Sequence, residues 1–122
     1  NGYLPVVSPV GVSSEGEGLN LNGDLAAGAI AGALNADEAI FMTDVEGIYR
    51  NYPDPTSIIS SMTSEELRAM QPAFAAGMIP KSKAALAALD SGAKRARVIN
   101  GKISKNLENA LKGKGGTVIT HG

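Results

Sequence analysis

The run Glu38-Ala39-Ile40-Phe41-Met42-Thr43-Asp44 constrains this chain most. It is continuously apolar with polar ends, the pattern of a strand covered on both faces of a parallel sheet. Around it, strand-like and helix-like segments alternate. Leu4–Val12 reads as a short buried strand closed by Pro9 and Gly11, and Leu19–Asn22 as a brief extended piece after a polar turn at Ser13–Gly18. Asp24 is placed as the N-cap of a helix through Leu34 that is apolar on all sides. Gly28 and Gly32 each cost that helix about 1 kcal/mol relative to Ala, a cost explained if another backbone approaches closely.

Val45–Pro55 carries Gly47, Asn51, Pro53 and Pro55 and is expected to be a long loop or hairpin. Thr63 and Glu66 form a capping-box pattern opening a helix to about Gln71. Pro80 stands where a helix start tolerates proline, and Gly92 ends that helix. A strand at Arg95–Ile99, a helix at Ser104–Leu111 and a last strand at Thr117–Thr120 complete the pattern. Alternation of this kind predicts one α/β layered domain over residues 1–122 with a mainly parallel sheet. Ligands then bind beyond the carboxyl ends of the strands, which directs attention to Ser8, Asn20, Asn22, Asp24, Thr43 and Asp44.

Composition removes several classes of function. The chain has 122 residues, 43% hydrophobic and 19% charged, with no Cys and a single His, His121. Disulfides, thiolate metal sites and a histidine-based triad are therefore excluded, and no protein-held metal is expected. No apolar run approaches the ~20 residues of a membrane helix, and the chain opens on no basic-then-apolar leader, so neither membrane association nor export is expected and the location expected is cytoplasmic. Residues 1–66 carry 10 of the 12 carboxylates and one cation, Arg50, while residues 67–122 carry two carboxylates and 10 cations. Those cations are dispersed through apolar sequence, Trp is absent and the five aromatics are scattered. Nucleic-acid binding is not expected. The start at Asn1-Gly2, without an initiator Met, suggests a piece of a longer protein.

Neither a Walker-type loop nor a G-x-G-x-x-G after a strand is present. Three segments remain as site candidates. Asn20-Leu21-Asn22-Gly23-Asp24 reads either as an Asx-rich turn ending in a cap, or as two amides donating to a carboxylate or phosphate beside an aspartate that holds a lysine or a magnesium ion. Gly77-Met78-Ile79-Pro80-Lys81 puts a lysine in a first helical turn, where the dipole disfavours a cation unless an anion sits there; a solvated surface lysine is the alternative. Lys83 is a weaker candidate of the same kind. Thr43-Asp44-Val45-Glu46-Gly47-Ile48-Tyr49 is a strand exit that either turns plainly at its glycine or supports a nucleotide.

Together these segments resemble the amino acid kinases, most of all the branch that phosphorylates N-acetyl-L-glutamate. The resemblance spans nearly the whole chain: Leu4–Gly11 (V-I-S-P-x-G type), Leu19–Asp24 (L-N-x-N-x-D), Thr43–Gly47 (T-D-V-x-G), Gly77–Lys81 (G-M-x-x-K) and Gly115–Ile119 (G-T-x-I). It implies a three-layer α/β/α sandwich corresponding to the C-terminal, nucleotide-binding half of that fold. It implies that Asn20 and Asn22 contact acetylglutamate, that Asp24 organises the catalytic lysines and that Lys81 stabilises the transferring phosphoryl group. It further implies that Asp44, Val45, Glu46, Gly47, Ile48 and Tyr49, with Ala73, Phe74 and Ala75, form the ATP-binding stretches.

The implied substrates are ATP with Mg²⁺, returned as ADP, and N-acetyl-L-glutamate. The implied reaction belongs to arginine biosynthesis, in a homo-oligomer when full-length. Gly23 replaces the family's usual Ala, and Lys105 and Ala110 replace the His and Glu typical of arginine-inhibited members. The family's N-terminal half, with a glycine-rich loop, a second lysine and an arginine for the substrate carboxylate, has no counterpart here. The isolated chain is therefore expected to be catalytically silent. A kinase for another acidic substrate, or a non-catalytic nucleotide sensor, are the competing expectations.

Overall fold

A computed structural model describes residues 2–122. The strands are β1 (Val10–Val12), β2 (Gly18–Asn20), β3 (Ala39–Thr43), β4 (Ile48–Tyr49), β5 (Ile58–Ile59), β6 (Ser61–Thr63), β7 (Arg95–Asn100) and β8 (Thr117–Thr120). The α-helices are α1 (Gly23–Ala33), α2 (Ser64–Met70), α3 (Ile79–Ser91) and α4 (Ser104–Leu111), with 3₁₀ turns at Pro55–Ser57, Gln71–Ala73 and Ala76–Met78. The central sheet has the order β3-β7-β8-β6. β3 pairs with β7, and β6 with β8, in parallel; β7 and β8 run antiparallel. The mainly parallel sheet expected from the alternation is present, with one antiparallel join.

β7 lies inside that sheet, and Ala96, Arg97, Val98 and Ile99 are all buried. Because successive strand residues point to opposite faces, burial of all four means that β7 is covered on both sides. Helix α3 packs on β7 through the apolar cluster that includes Ala85, Leu89, Ala96 and Val98. Helix α4 also packs on β7, and Ile99 and Ala110 are buried outside that cluster. Arg97, inside the sheet, donates from Nε to Glu38 at 2.6 Å and from Nη1 to the Gly115 carbonyl at 2.7 Å.

The small helix behaves as its glycines require. A Cβ at Gly28 would stand 3.3 Å from the Ala88 backbone nitrogen, and one at Gly32 would stand 2.3 Å from Ser91 Cβ. Helices α1 and α3 therefore cross backbone to backbone, with Gly28 on Ala88 and Gly32 on Ser91, so they run in the same direction. The other face of α1 stays open, with Leu25, Ile30 and Leu34 exposed.

The boundaries at Thr63–Glu66, Gly92, Ser104–Leu111 and Thr117–Thr120 match the sequence reading. Two expectations need correction. Leu4, Val6 and Val7 are exposed and not in a strand; only Val10–Val12 of this run pairs as a strand, in an antiparallel hairpin with β2. A β-branched run favours extension but makes a strand only where a neighbouring ladder accepts it, and the described sheet offers residues 4–7 none. Second, the helix cap is Asn22, in extended conformation with its side chain accepting from Leu25 N at 3.0 Å; Asp24 lies in the first turn.

Candidate functional site

Three places bear the predicted site residues, and the parallel course of α1 and α3 creates the first. The two helices start side by side, and Asn22, Asp24, Leu25, Ile79, Pro80, Lys83 and Ala84 line a cleft of about 180 Å³. Each helix start presents the positive end of its dipole, although Leu25 N of α1 is already capped by Asn22 and Pro80 of α3 carries no N–H. Two such ends on one cleft make a place that favours an anion. Asn22 spends its side-chain oxygen on the cap, which leaves its amide N–H₂ group as a donor. Asp24 is exposed and spends nothing on capping.

The lysines divide differently from the expectation that put Lys81 first. Lys83 lines the cleft, whereas Lys81 is half-buried in the first turn of α3 with Nζ 3.5 Å from the Gly77 carbonyl. Neither is ion-paired to Asp24 among the described residues. Asn20, the last residue of β2, is exposed beside this helix start and pairs in register with Val10. The acidic and basic halves of the chain thus meet here, as they do in the pairs of Lys94 with Asp37 and of Arg97 with Glu38.

The second place is the exit of β3. Thr43 and Asn100, the carboxyl ends of two parallel strands, lie in register, and Gly101 N donates to the Thr43 carbonyl at 2.8 Å. Asp44 and Glu46 are exposed, and Asn100 Nδ2 donates to Glu46 Oε1 at 2.8 Å. Thr43 Oγ1 closes the turn by bonding to the Val45 carbonyl at 3.0 Å. Gly47 is obligatory: a Cβ there would lie 2.6 Å from Thr117 Oγ1. Ile48 and Tyr49 are core residues of the β4–β5 hairpin, and the Tyr49 ring meets Tyr52 edge-on at 5.1 Å. Of the stretch 44–49, the side chains of Asp44 and Glu46 are the exposed ones.

The third place is the pair of 3₁₀ turns before α3. Ala73 and Ala75 are exposed and Phe74 is buried. Gln71 Nε2 donates to Ser82 Oγ at 2.8 Å, and Ser82 Oγ donates to the Ile79 carbonyl at 2.8 Å, which ties this segment to the start of α3. Sequence reasoning missed Asn100, Gln71 and Ser82 and gave Thr117, the threonine of the G-T-x-I segment, no role of its own. The hydrogen bonds that reveal them join residues 11 to 69 positions apart. Among the described residues no group of three His, Asp or Glu side chains is placed to hold a metal ion, and no helix is long and apolar enough to cross a membrane.

Known proteins share this architecture. N-acetylglutamate synthase from Neisseria gonorrhoeae, solved with coenzyme A and N-acetyl-glutamate, superposes with a TM-score of 0.82 at 28% identity, over 93% of this chain and 27% of that one. Carbamate kinase from Giardia lamblia bound to AMP-PNP gives a TM-score of 0.72 at 26% identity, over 93% of this chain and 41% of that one. The fold is thus the mixed α/β fold of these enzymes. The profile of the Amino acid kinase family matches residues 1–100, and the chain belongs to that family.

Among curated relatives, acetylglutamate kinase from Arthrobacter sp. (strain FB24) is 45% identical over 112 residues, covering 87% of this chain and 36% of that protein. Acetylglutamate kinase from Methanocaldococcus jannaschii is 48% identical over 109 residues, covering 88% and 36%. The chain therefore spans about a third of the length of these relatives.

Proposed function

We propose that this chain is the nucleotide-binding part of an acetylglutamate kinase, which transfers the γ-phosphoryl group of Mg-ATP to the side-chain carboxylate of N-acetyl-L-glutamate. The observation that carries the reading is the cleft where α1 and α3 start together, with Asn22, Asp24 and Lys83 on its walls and Lys81 in the adjoining turn. The relatives at 45% and 48% identity are acetylglutamate kinases, which supports N-acetyl-L-glutamate as the substrate. The Giardia neighbour, solved with AMP-PNP, supports a nucleotide on this fold.

In this reaction a carboxylate oxygen attacks the γ-phosphorus, and the bond to the β,γ-bridging oxygen breaks. ADP leaves with the electron pair, and the product is an acyl phosphate. The protein's task is to position the reactants and neutralise charge. Lys81 and the two helix starts oppose the negative charge of the transferring group, and Asp24 takes the role of the carboxylate that organises the catalytic lysines once the reactants are bound. Asn20 and Asn22 donate to the acetylglutamate. The exposed loop at Asp44–Gly47 and the turns at Ala73–Ala75 receive the nucleotide. Mg²⁺ enters with ATP as part of the substrate. On this reading the full-length enzyme is a cytoplasmic homo-oligomer of arginine biosynthesis, and its remaining length supplies the other phosphate-binding and substrate-binding groups.

Calorimetric titration of the 122-residue chain with Mg-ADP and Mg-AMP-PNP, beside an acetylglutamate phosphorylation assay, tests the reading. Nucleotide binding at millimolar concentration or tighter without turnover is expected. Turnover at the ordinary enzymatic rate of about 1–10³ s⁻¹ by this chain alone would overturn the division into two parts. No binding at millimolar nucleotide would overturn the assignment of the site.

A further inference from the structure

One hydroxyl joins the exit of β3, the β4–β5 hairpin and the start of β8. Thr117, fully buried at the first position of β8, accepts a hydrogen bond from Ile48 N at 2.8 Å and donates one to the Ile59 carbonyl at 2.5 Å. Its single proton and an oxygen lone pair are both in use. The neighbouring Gly47 has no side chain, which is what lets the hydroxyl approach: a Cβ there would fall 2.6 Å from Thr117 Oγ1. Gly116 is equally confined, since its Cβ would lie 2.1 Å from the Val98 carbonyl oxygen, and Arg97 grips the Gly115 carbonyl. The residue carrying the hydroxyl is thus anchored to β7 on its own side. The outer fastening of the loop, Asn100 to Glu46, is exposed, and exposed contacts of this kind hold geometry weakly.

We propose that Thr117 is a positioning residue for nucleotide binding, its buried hydroxyl holding the Gly47–Ile48 turn in the shape that receives the nucleotide. This rests on the reading of residues 44–49 as a nucleotide loop. Thr117 itself, with no exposed surface, does not touch the ligand. It acts through the Ile48 amide, 69 positions earlier in the chain. Without the hydroxyl, both the Ile48 N–H and the Ile59 carbonyl lose a buried partner, and the turn is free to move off β8.

The test uses four variants of the 122-residue chain: Thr117→Ser keeps the hydroxyl, Thr117→Val removes it at constant shape, Thr117→Cys substitutes a weak hydrogen-bonding group, and Ile119→Val trims the same strand elsewhere. Mg-ADP affinity is measured by calorimetry at a temperature where circular dichroism shows each variant folded, and exchange of the Ile48 amide by NMR. Thr117→Ser should bind within about threefold of the parent, and Thr117→Val tenfold or more weakly with faster Ile48 exchange. Ile119→Val should lose thermal stability without losing affinity. If Thr117→Val does not fold, Thr117→Cys carries the comparison with an intermediate loss. Parent-like affinity in folded Thr117→Val or Thr117→Cys, or an equal loss in Ile119→Val, overturns the proposal. Failure of the unsubstituted chain to bind nucleotide removes the nucleotide reading and the positioning role with it, while a protected Ile48 amide would still report the hydroxyl's hold on the turn.

Discussion

Gly32 and Ser91 lie so close that a β-carbon on the glycine would stand 2.3 Å from Ser91 Cβ and 2.5 Å from its carbonyl carbon and oxygen. Gly28, one turn earlier, would meet the Ala88 backbone at 3.3 Å. The first contact is with backbone and cannot yield without separating α1 from α3. The second requires a shift of only a few tenths of an ångström. Gly32→Ala should therefore destabilise the chain by about 3 kcal/mol through overpacking. Gly28→Ala, which gains about 1 kcal/mol of helix propensity, should stay within about 1 kcal/mol of the parent. Urea denaturation of the two variants checks this, and equal losses would contradict the asymmetric crossing.

Asn22, and not Asp24, closes the start of α1. Asn22→Ala should cost about 1 kcal/mol, the usual loss of a side-chain cap. Asp24→Asn removes only a favourable charge near the helix start, about 0.5 kcal/mol. Thermal unfolding ranks the pair. A larger loss for Asp24→Asn would restore aspartate as the cap.

Arg97 and Glu38 form the buried ion pair of the sheet, with Arg95 a more distant partner at 3.6 Å. Arg97→Ala leaves Glu38 without its main partner and frees the Gly115 carbonyl, a loss of about 3–5 kcal/mol. The double variant Glu38→Leu with Arg97→Met, which leaves no buried charge, should be clearly more stable than Arg97→Ala alone. A denaturant series on the two variants decides the order.

Two exposed carboxyls titrate below their ordinary value for different reasons. Asp37 is lowered first by its hydrogen bond from Lys94, then by the charge of that ammonium and of Arg95, against a small opposing effect of burial; Asp54 is lowered by the Thr56 hydroxyl and the Thr56 backbone N–H. A carboxyl lowered in the folded state contributes stability above its unfolded pKa and loses it as pH falls through the folded value. Both contributions are therefore present at neutral pH and lost on the acid side of the ordinary carboxylate range. Carboxyl NMR titration of Lys94→Met should return Asp37 toward its ordinary value and leave Asp54 unmoved. Thr56→Val should do the reverse. At 1 M salt the Asp37 shift should shrink while that of Asp54 persists, because a hydrogen bond from a neutral donor is little screened.

Lys81 and Lys83 separate the reading of the cleft into two measurable roles. On the proposed function, loss of the lysine that opposes transition-state charge should lower kcat of the full-length protein by about 10²–10³. The proposed assignment expects this for Lys81→Ala, with a change mainly in KM for Lys83→Ala. Steady-state kinetics decide it, and the reverse pattern would move the catalytic role to the lysine that lines the cleft.

Local signals in the sequence determined the elements whose causes are local. The capping box at Thr63 and Glu66, proline in the first turn of α3, Gly92 at its end and the apolar run at Ala39–Thr43 each act within a few residues. The closeness of α1 to another backbone was legible in Gly28 and Gly32, because only a close approach explains glycine inside a helix. Which helix it met was not legible. Tertiary structure alone decided that residues 4–7 take no place in the sheet, that β7 and β8 run antiparallel, and that Lys83 lines the cleft with Asp24. It also decided that Thr117 holds a turn 69 positions away. The physical reason is common to these cases: a strand needs a ladder, a charge a facing charge and a buried hydroxyl a partner, and in each the partner lies far along the chain, where no local pattern announces it.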